Sequence, residues 1–411
     1  MRRVVITGMG AVTPIGNSIQ STWESLQKGC SGIDWLRCVD TENLACAVGG
    51  ELKDFDSALF MSRKDIQRYD PFIHYGVASA LMALNDARMK QSDMKGQDIG
   101  VIVGSSRGGV ITIEKAVSDS IKKSGRFSAY LMPATTIAMA ASYIAMQLEI
   151  TGPCMGISNA CASGLNAIGH AFDMIRTGRA AVMLAGGTEA PLCRMVIGGY
   201  SAAKALTQNR ENPLKASRPF DAKRDGFVLS EGASVVVLEE LGHALKRDAQ
   251  VYAEILGYGM STDAFHPTRP GVRGEELAMQ RALTDAEIGP DKIDYINAHA
   301  TSTVLGDKVE TEAVKLVFGQ RAYRIAVSAA KSMTGHMLGA SAALEVAVTA
   351  LSLRDNVIPP TINLTFPDPA CDLDYVPTQS RQTEVQFAIS NSFGFGGVNA
   401  SMVLKKFSLH C

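Results

Sequence analysis

Residues 4–7 form a short β-branched run that stops at Gly8-Met9-Gly10, and a helix is expected from Ser18 or Ser21 to Gln27. Between residues 70 and 89 apolar positions recur at helical spacing, whereas 99–103 (IGVIV) is an unbroken apolar run of the kind found in a strand buried on both faces. Residues 134–148, rich in alanine and methionine, predict another long helix. Leu165, Ile168, Ala171, Phe172 and Ile175 predict the next, which Gly178 closes. Strands follow at 180–185 and 234–239, separated by a polar loop over 207–226, long enough to expect a function of it. Alternating strands and helices place the chain in the α/β class.

The second part of the chain repeats the plan of the first. Residues 253–259 (AEILGYG) correspond to 4–10, residues 293–297 to 99–103, and 387–390 with its glycine-rich tail to 182–187. The run from Ile325 to His336 leads into an apolar helix at 338–353, as Met155 to Cys161 leads into the helix after Cys161. A duplication of this size predicts two similar α/β halves about a pseudo-twofold axis, residues 1–250 and 251–411, with equivalent loops converging on one site. Cys161 then comes from the first half, and His299, His336 and the loop around Phe395 from the second.

With 411 residues the chain can build a full core without staples. Forty basic residues against forty-one acidic ones give no global field for nucleic acid or an anionic membrane, so a charged partner must be met by a local patch. The eight cysteines form no C-x-x-C pair and no zinc spacing, which fits a reducing, cytoplasmic setting. Glycine and proline interrupt the N-terminal segment too early for a signal sequence, and the apolar helices are too short to span a bilayer, so no membrane association is expected. Gly8-Met9-Gly10 does not complete a dinucleotide fingerprint.

Cys161 stands where an apolar run turns into a small-residue helix start. Unpaired N–H groups and the helix dipole at such a place lower a thiol's pKa and favour the nucleophilic thiolate. The rival reading is a small buried residue. His299, just past a strand, and His336, at the start of the matching helix, each also fit a structural role, the commoner fate of a histidine taken singly. Held neutral near a helix N-terminus they would donate hydrogen bonds to a developing oxyanion. No H-E-x-x-H spacing or compact carboxylate cluster accompanies them, so no metal site is expected.

The segments NACASG at Cys161, NAHATSTVLGDKVET from Asn297, SAAKSMTGHMLGASAALE from Ser328 and SNSFGFGGVNA from Ser390 resemble the β-ketoacyl-acyl carrier protein synthases. The resemblance is to the synthase I/II group of the thiolase superfamily and runs essentially end to end. It implies a thiolase-like fold with two duplicated α/β halves in α-β-α-β-α layers. The implied activity is decarboxylative Claisen condensation of an acyl thioester on Cys161 with malonyl-acyl carrier protein. It further implies that His299 and His336 hold the enolate, that the N–H groups of Cys161 and Phe395 form an oxyanion hole, and that Thr301 and Thr303 bind the phosphopantetheine arm. Lys331, with the acidic Glu310 tied to it, matches the residues that order the histidines. Acyl carrier protein is the implied partner and a homodimer the implied assembly; no cofactor is implied beyond a structural monovalent cation near Asn297, Glu345, Ser390 and Asn391. Arg63, Lys64, Arg68 and Arg126 are candidates for the carrier-protein patch.

Three positions depart from the family pattern. Ala300 replaces a usual glycine, Tyr200 a common phenylalanine, and Arg107 a glycine or apolar residue near the acyl pocket. Arg107 leads us to expect primers shorter or more polar than long saturated chains. A thiolase, which pairs its nucleophile with a second cysteine, and a noncatalytic partner subunit, which typically lacks the nucleophile, are the alternatives. Fatty acid and polyketide or specialised lipid elongation are not separated by these motifs.

Overall fold

The computed structural model describes residues 1–94, 98–122 and 126–408, which leaves His410 and Cys411 outside the described residues. Ten strands form one sheet: β1 (Val4–Val12), β2 (Ile99–Gly104), β3 (Cys154–Ile157), β4 (Val182–Glu189), β5 (Gly232–Glu240), β6 (Ala253–Thr262), β7 (Tyr295–Asn297), β8 (Ala326–Ser328), β9 (Phe387–Gly394) and β10 (Val398–Lys406). Their order is β8-β7-β9-β10-β6-β1-β5-β4-β2-β3. Each strand of the first half thus has its counterpart five strands later, at the mirrored place in the order. Pairing directions match as well: β2 is parallel to β3 and β4, as β7 is to β8 and β9, and the other neighbours are antiparallel. The halves are joined through β1 and β6, where Val4, Val5 and Ile6 face Ile255, Glu254 and Ala253.

Helices fill three layers around this sheet. Helix α1 (Pro71–Asp86) and α2 (Met139–Leu148) cover the outer face of the first half, where they close an apolar cluster over β2, β4 and β5. Helix α4 (Val272–Asp285) and α5 (Gly306–Phe318) do the same for the second half. Between the halves lie α3 (Ser163–Arg176) and α6 (Gly339–Asp355), packed in the largest core cluster with residues from both. Helix α6 is buried on every side from Gly339 to Leu353, which is why its sequence lacks a polar face. Among the described residues no helix is long and apolar enough to cross a membrane.

The helix expected at 134–148 is broken. A short helix at Leu131–Thr135 ends at Thr136, whose backbone is extended, before α2 begins. The hydroxyls of Thr135 and Thr136 donate to the carbonyls of Leu131 and Met132 at 2.9 and 2.7 Å, giving the chain a local alternative to the main-chain ladder. Composition favours a helix here, and two adjacent threonines interrupt it.

Candidate active site

Two glycines bring the central helices together. A Cβ on Gly164 of α3 would stand 2.4 Å from the Gly339 carbonyl of α6, so only the bare backbone permits this approach. The segments that precede the two helices, equivalent under the duplication, therefore meet. Cys161 follows β3, and His336 follows β8 through the helical turn Lys331–Thr334. His336 Nε2 lies 3.0 Å from Cys161 Sγ. His299, beyond the end of β7, stacks edge-on to His336 with ring centroids 5.3 Å apart. One ligating atom from each of Cys161, His299 and His336 falls within 4.8 Å of the others.

The local backbone around Cys161 is held by a small network. Ala160 adopts a left-handed φ of +46°, a conformation L-residues favour little, and the Ser163 hydroxyl donates to the Ala160 carbonyl at 2.6 Å. The Ser392 hydroxyl donates to the Cys161 carbonyl at 3.1 Å. Helix α3 begins only at Ser163, so Cys161 precedes the helix by two residues and does not sit in its first turn. The expected lowering of the thiol pKa is overturned: burial pushes it up to about 11, while the Lys331 charge and the Phe395 N–H pull it partly back.

Both histidines are held well below the ordinary imidazole range, first by burial and then by the Lys331 charge. Each is neutral at physiological pH. The Ser341 hydroxyl sits 3.4 Å from His336 Nδ1 and accepts the Met337 N–H at 2.8 Å, so its own hydrogen is free for Nδ1. That assignment leaves His336 Nε2 protonated and aimed at Cys161.

Lys331 is fully buried, and its ion-pair partner is Glu345 rather than the expected Glu310. Glu310 takes another position: it accepts the N–H groups of His299 and Ala300 at 2.9 and 2.7 Å and the Asn391 side-chain amide at 3.3 Å. It clamps the loop that carries His299, in which Ala300 has a positive φ of 23°. That loop is secured from outside by Arg224, which donates to the carbonyls of Thr303 and Val304 and pairs with Asp307 and Asp368. The polar stretch 207–226 is thus part of the site's frame. Sequence alone assigns no role to Arg224, Ser341 or Ser392, although Arg224 lies in the family-like stretch 218–233 and the two serines lie in the motif segments that begin at Ser328 and Ser390.

Arg107, Tyr200 and Phe395 join Cys161 and the two histidines in the wall of a cavity of about 500 Å³. Thr301 and Thr303 line the same cavity with their hydroxyls 3.1 Å apart. Behind the site, Asn297 Oδ1, Glu345 Oε2 and Ser390 Oγ are buried without a hydrogen-bond partner, and Asn297 pairs with Ser390 across β7 and β9. Three buried oxygens of this kind suit a hard monovalent cation. Asn391 is occupied elsewhere, by Glu310 and Ser401.

Residues 1–244 match the N-terminal domain of beta-ketoacyl synthases and residues 252–365 their C-terminal domain. A 3-oxoacyl-[acyl-carrier-protein] synthase 2 of Coxiella burnetii is 45% identical over 409 residues, 98% of this chain and 99% of that protein. Among solved structures, the ishigamide ketosynthase/chain length factor superposes with a TM-score of 0.94 at 33% identity, covering 99% of this chain and 100% of that one. A type II polyketide synthase acyl-carrier protein in complex with its ketosynthase, bound to the hexaketide, gives a TM-score of 0.91 at 33% identity with the same coverage.

Proposed function

We propose, for a chain that belongs to the beta-ketoacyl synthase family and is an acyltransferase condensing acyl and malonyl thioesters, a division of labour among the groups around Cys161. Cys161 is the acyl acceptor. Its sulfur attacks the carrier-bound thioester, the Cys161 S–C bond forms, the carrier S–C bond breaks, and the thiol proton ends on the pantetheine sulfur. The N–H groups of Cys161 and Phe395 face the tetrahedral oxyanion. Thr301 and Thr303 hydrogen-bond the pantetheine arm in the cavity.

Malonyl-acyl carrier protein then enters, and loss of carbon dioxide leaves an enolate whose oxygen accepts hydrogen bonds from His299 and His336. The enolate carbon attacks the acyl carbonyl and expels Cys161 sulfur as the thiolate, which takes a proton from solvent, giving β-ketoacyl-acyl carrier protein and the starting thiol. Lys331 and Glu310 are positioning residues, the first through its charge beside both imidazoles and the second through the His299 and Ala300 amides. The observation that carries this reading is the 3.0 Å contact between Cys161 Sγ and His336 Nε2. Incubation with acyl-carrier protein followed by intact-mass and peptide analysis should place the acyl group on Cys161 alone. Undiminished acylation of Cys161→Ala would sink it.

The carrier protein docks, on this reading, at a local basic patch made by the exposed Arg63 and Lys64, with the exposed Arg126 as a further candidate. Arg68 contributes less, since it lies over the Tyr130 ring at 4.3 Å and near Asp65. A second copy of the chain covers the exposed apolar stripe Ile113, Val117 and Ile121, giving a cytoplasmic homodimer, which sedimentation would test by its mass. A structural monovalent cation is held by Asn297, Glu345 and Ser390; replacing potassium and sodium by choline should lower Tm, and an unchanged Tm would remove the ion from the account. The two halves, residues 1–250 and 251–411, act as one catalytic unit because each supplies part of the site.

A further inference from the structure

Arg107 and Tyr200, two of the three departures from the family pattern, are in contact with each other. The chain leaves β2 through Ser105 and Ser106, and Arg107 then donates from Nε and Nη2 to the Tyr200 hydroxyl at 3.1 and 2.6 Å. The guanidinium carbon is 5.1 Å from the centre of the Tyr200 ring. Tyr200 is in turn edge-on to Phe227 and Phe395, at centroid distances of 5.3 and 6.1 Å. A fixed positive charge is therefore set into an aromatic wall of the cavity that holds Cys161.

Among the described residues no carboxylate lies within ion-pair distance of Arg107, and its hydrogen bonds go to a neutral hydroxyl. Glu189 contributes to the field at Arg107, but its Oε1 is taken by the Ser106 backbone N–H, and its Oε2 is buried without a hydrogen-bond partner. Burial pushes the Glu189 carboxyl up to about 8, against the pull of neighbouring N–H groups and of the Arg107 charge. A guanidinium cannot shed its proton, and a hydrocarbon tail laid against it would leave it further desolvated. Of its five N–H groups, two are committed to Tyr200. The remaining three include the end-on fork of Nη1 and Nη2, a geometry that receives both oxygens of a carboxylate.

We propose that the acyl group loaded onto Cys161 carries a carboxylate at its far end, which Arg107 grips with its free fork while Tyr200 fixes the guanidinium plane. Arg107 is then the specificity-determining residue for an ω-carboxyacyl primer. The inference rests on the reading of Cys161 as the acyl acceptor.

The test uses the full chain and carrier protein charged with succinyl, glutaryl or adipyl groups, each matched with the methyl-terminated acyl group of equal carbon number. The readout is kcat/KM for acylation of Cys161, followed by intact mass. At one or more chain lengths the carboxylated donor should be favoured about tenfold or more, in line with a charge-assisted bidentate pair. Arg107→Met should invert the ratio, Arg107→Lys should keep only part of it, and Tyr200→Phe should reduce it. Because both donors are compared on one protein, a loss of folding lowers both rates and leaves the ratio readable. A parent that favours the methyl-terminated donor at every length, or an unchanged ratio in Arg107→Met, overturns the proposal while Cys161 acylation itself stands. Failure of every donor to acylate Cys161 overturns both.

Discussion

At Cys161 two fields oppose: burial favours the neutral thiol, and the Lys331 charge with the Phe395 N–H favours the thiolate. His336 touches the sulfur and His299 does not, so the two imidazoles should separate kinetically. We expect His299→Ala to lose malonyl decarboxylation by some two to three orders of magnitude with a much smaller effect on self-acylation, and His336→Ala to impair both steps. Carbon dioxide release and acyl-enzyme formation, measured separately, check this; equal loss of self-acylation in the two variants would contradict it. A second expectation concerns Glu275, which lines the cavity, is 2% exposed and has an unpartnered Oε2. Burial first, then the carboxylates of Glu310, Asp263 and Asp307, raise its pKa well above the ordinary value of 4.5. Below that value both folded and unfolded chains are protonated; above it the unfolded chain ionises first, so stability falls as pH rises, by up to about 1.4 kcal/mol per pH unit. Glu275→Gln removes this slope. Its Tm advantage over the parent should grow between pH 5 and pH 8, and a constant difference would show that Glu275 ionises normally in the folded chain.

Among the elements, β1 and β6 seat their outer helices by the same device. A Cβ on Gly8 or Gly10 would lie 2.3 or 2.1 Å from the carbonyls of Ala83 and Ser79 in α1, and one on Gly257 or Gly259 would lie 2.4 or 2.3 Å from those of Ala282 and Ala278 in α4. Glycines two apart on a strand face one side, and carbonyls four apart on a helix face one side, so each strand docks against bare helical backbone. Gly10→Ala and Gly259→Ala should each cost about 1–3 kcal/mol or more in denaturant unfolding, because backbone must move to admit the methyl group. Gly199→Ala is the control: it meets nothing within 4 Å inside the helix Arg194–Ala202, and should stabilise by about 0.5–1 kcal/mol. Similar effects at all three sites would refute the close-packing argument.

For the whole molecule, near-neutral net charge leaves carrier-protein recognition to a local patch. Reversing Arg63 and Lys64 to glutamate should raise KM for acyl-carrier protein several-fold and flatten its salt dependence, while a small acyl-pantetheine donor is spared. Steady-state kinetics at two ionic strengths with both donors decide this. Equal loss for both donors would place the damage in the fold.

Hydrophobic periodicity and internal repetition were enough to set the α/β class and the duplicated halves, because burying strands on both faces leaves a plain apolar signature and a repeat is visible without coordinates. Motif chemistry likewise singled out Cys161, His299 and His336. Their convergence has a physical cause written locally, in Gly164 and Gly339, but its consequence is tertiary: only the packed structure brings loops 175 residues apart to a 3.0 Å contact. The pairing of Lys331 with Glu345, the raised thiol pKa of Cys161 and the contact between Arg107 and Tyr200 were likewise settled only in three dimensions. Each depends on what surrounds a charge, and a sequence specifies neighbours along the chain while electrostatics and desolvation respond to neighbours in space.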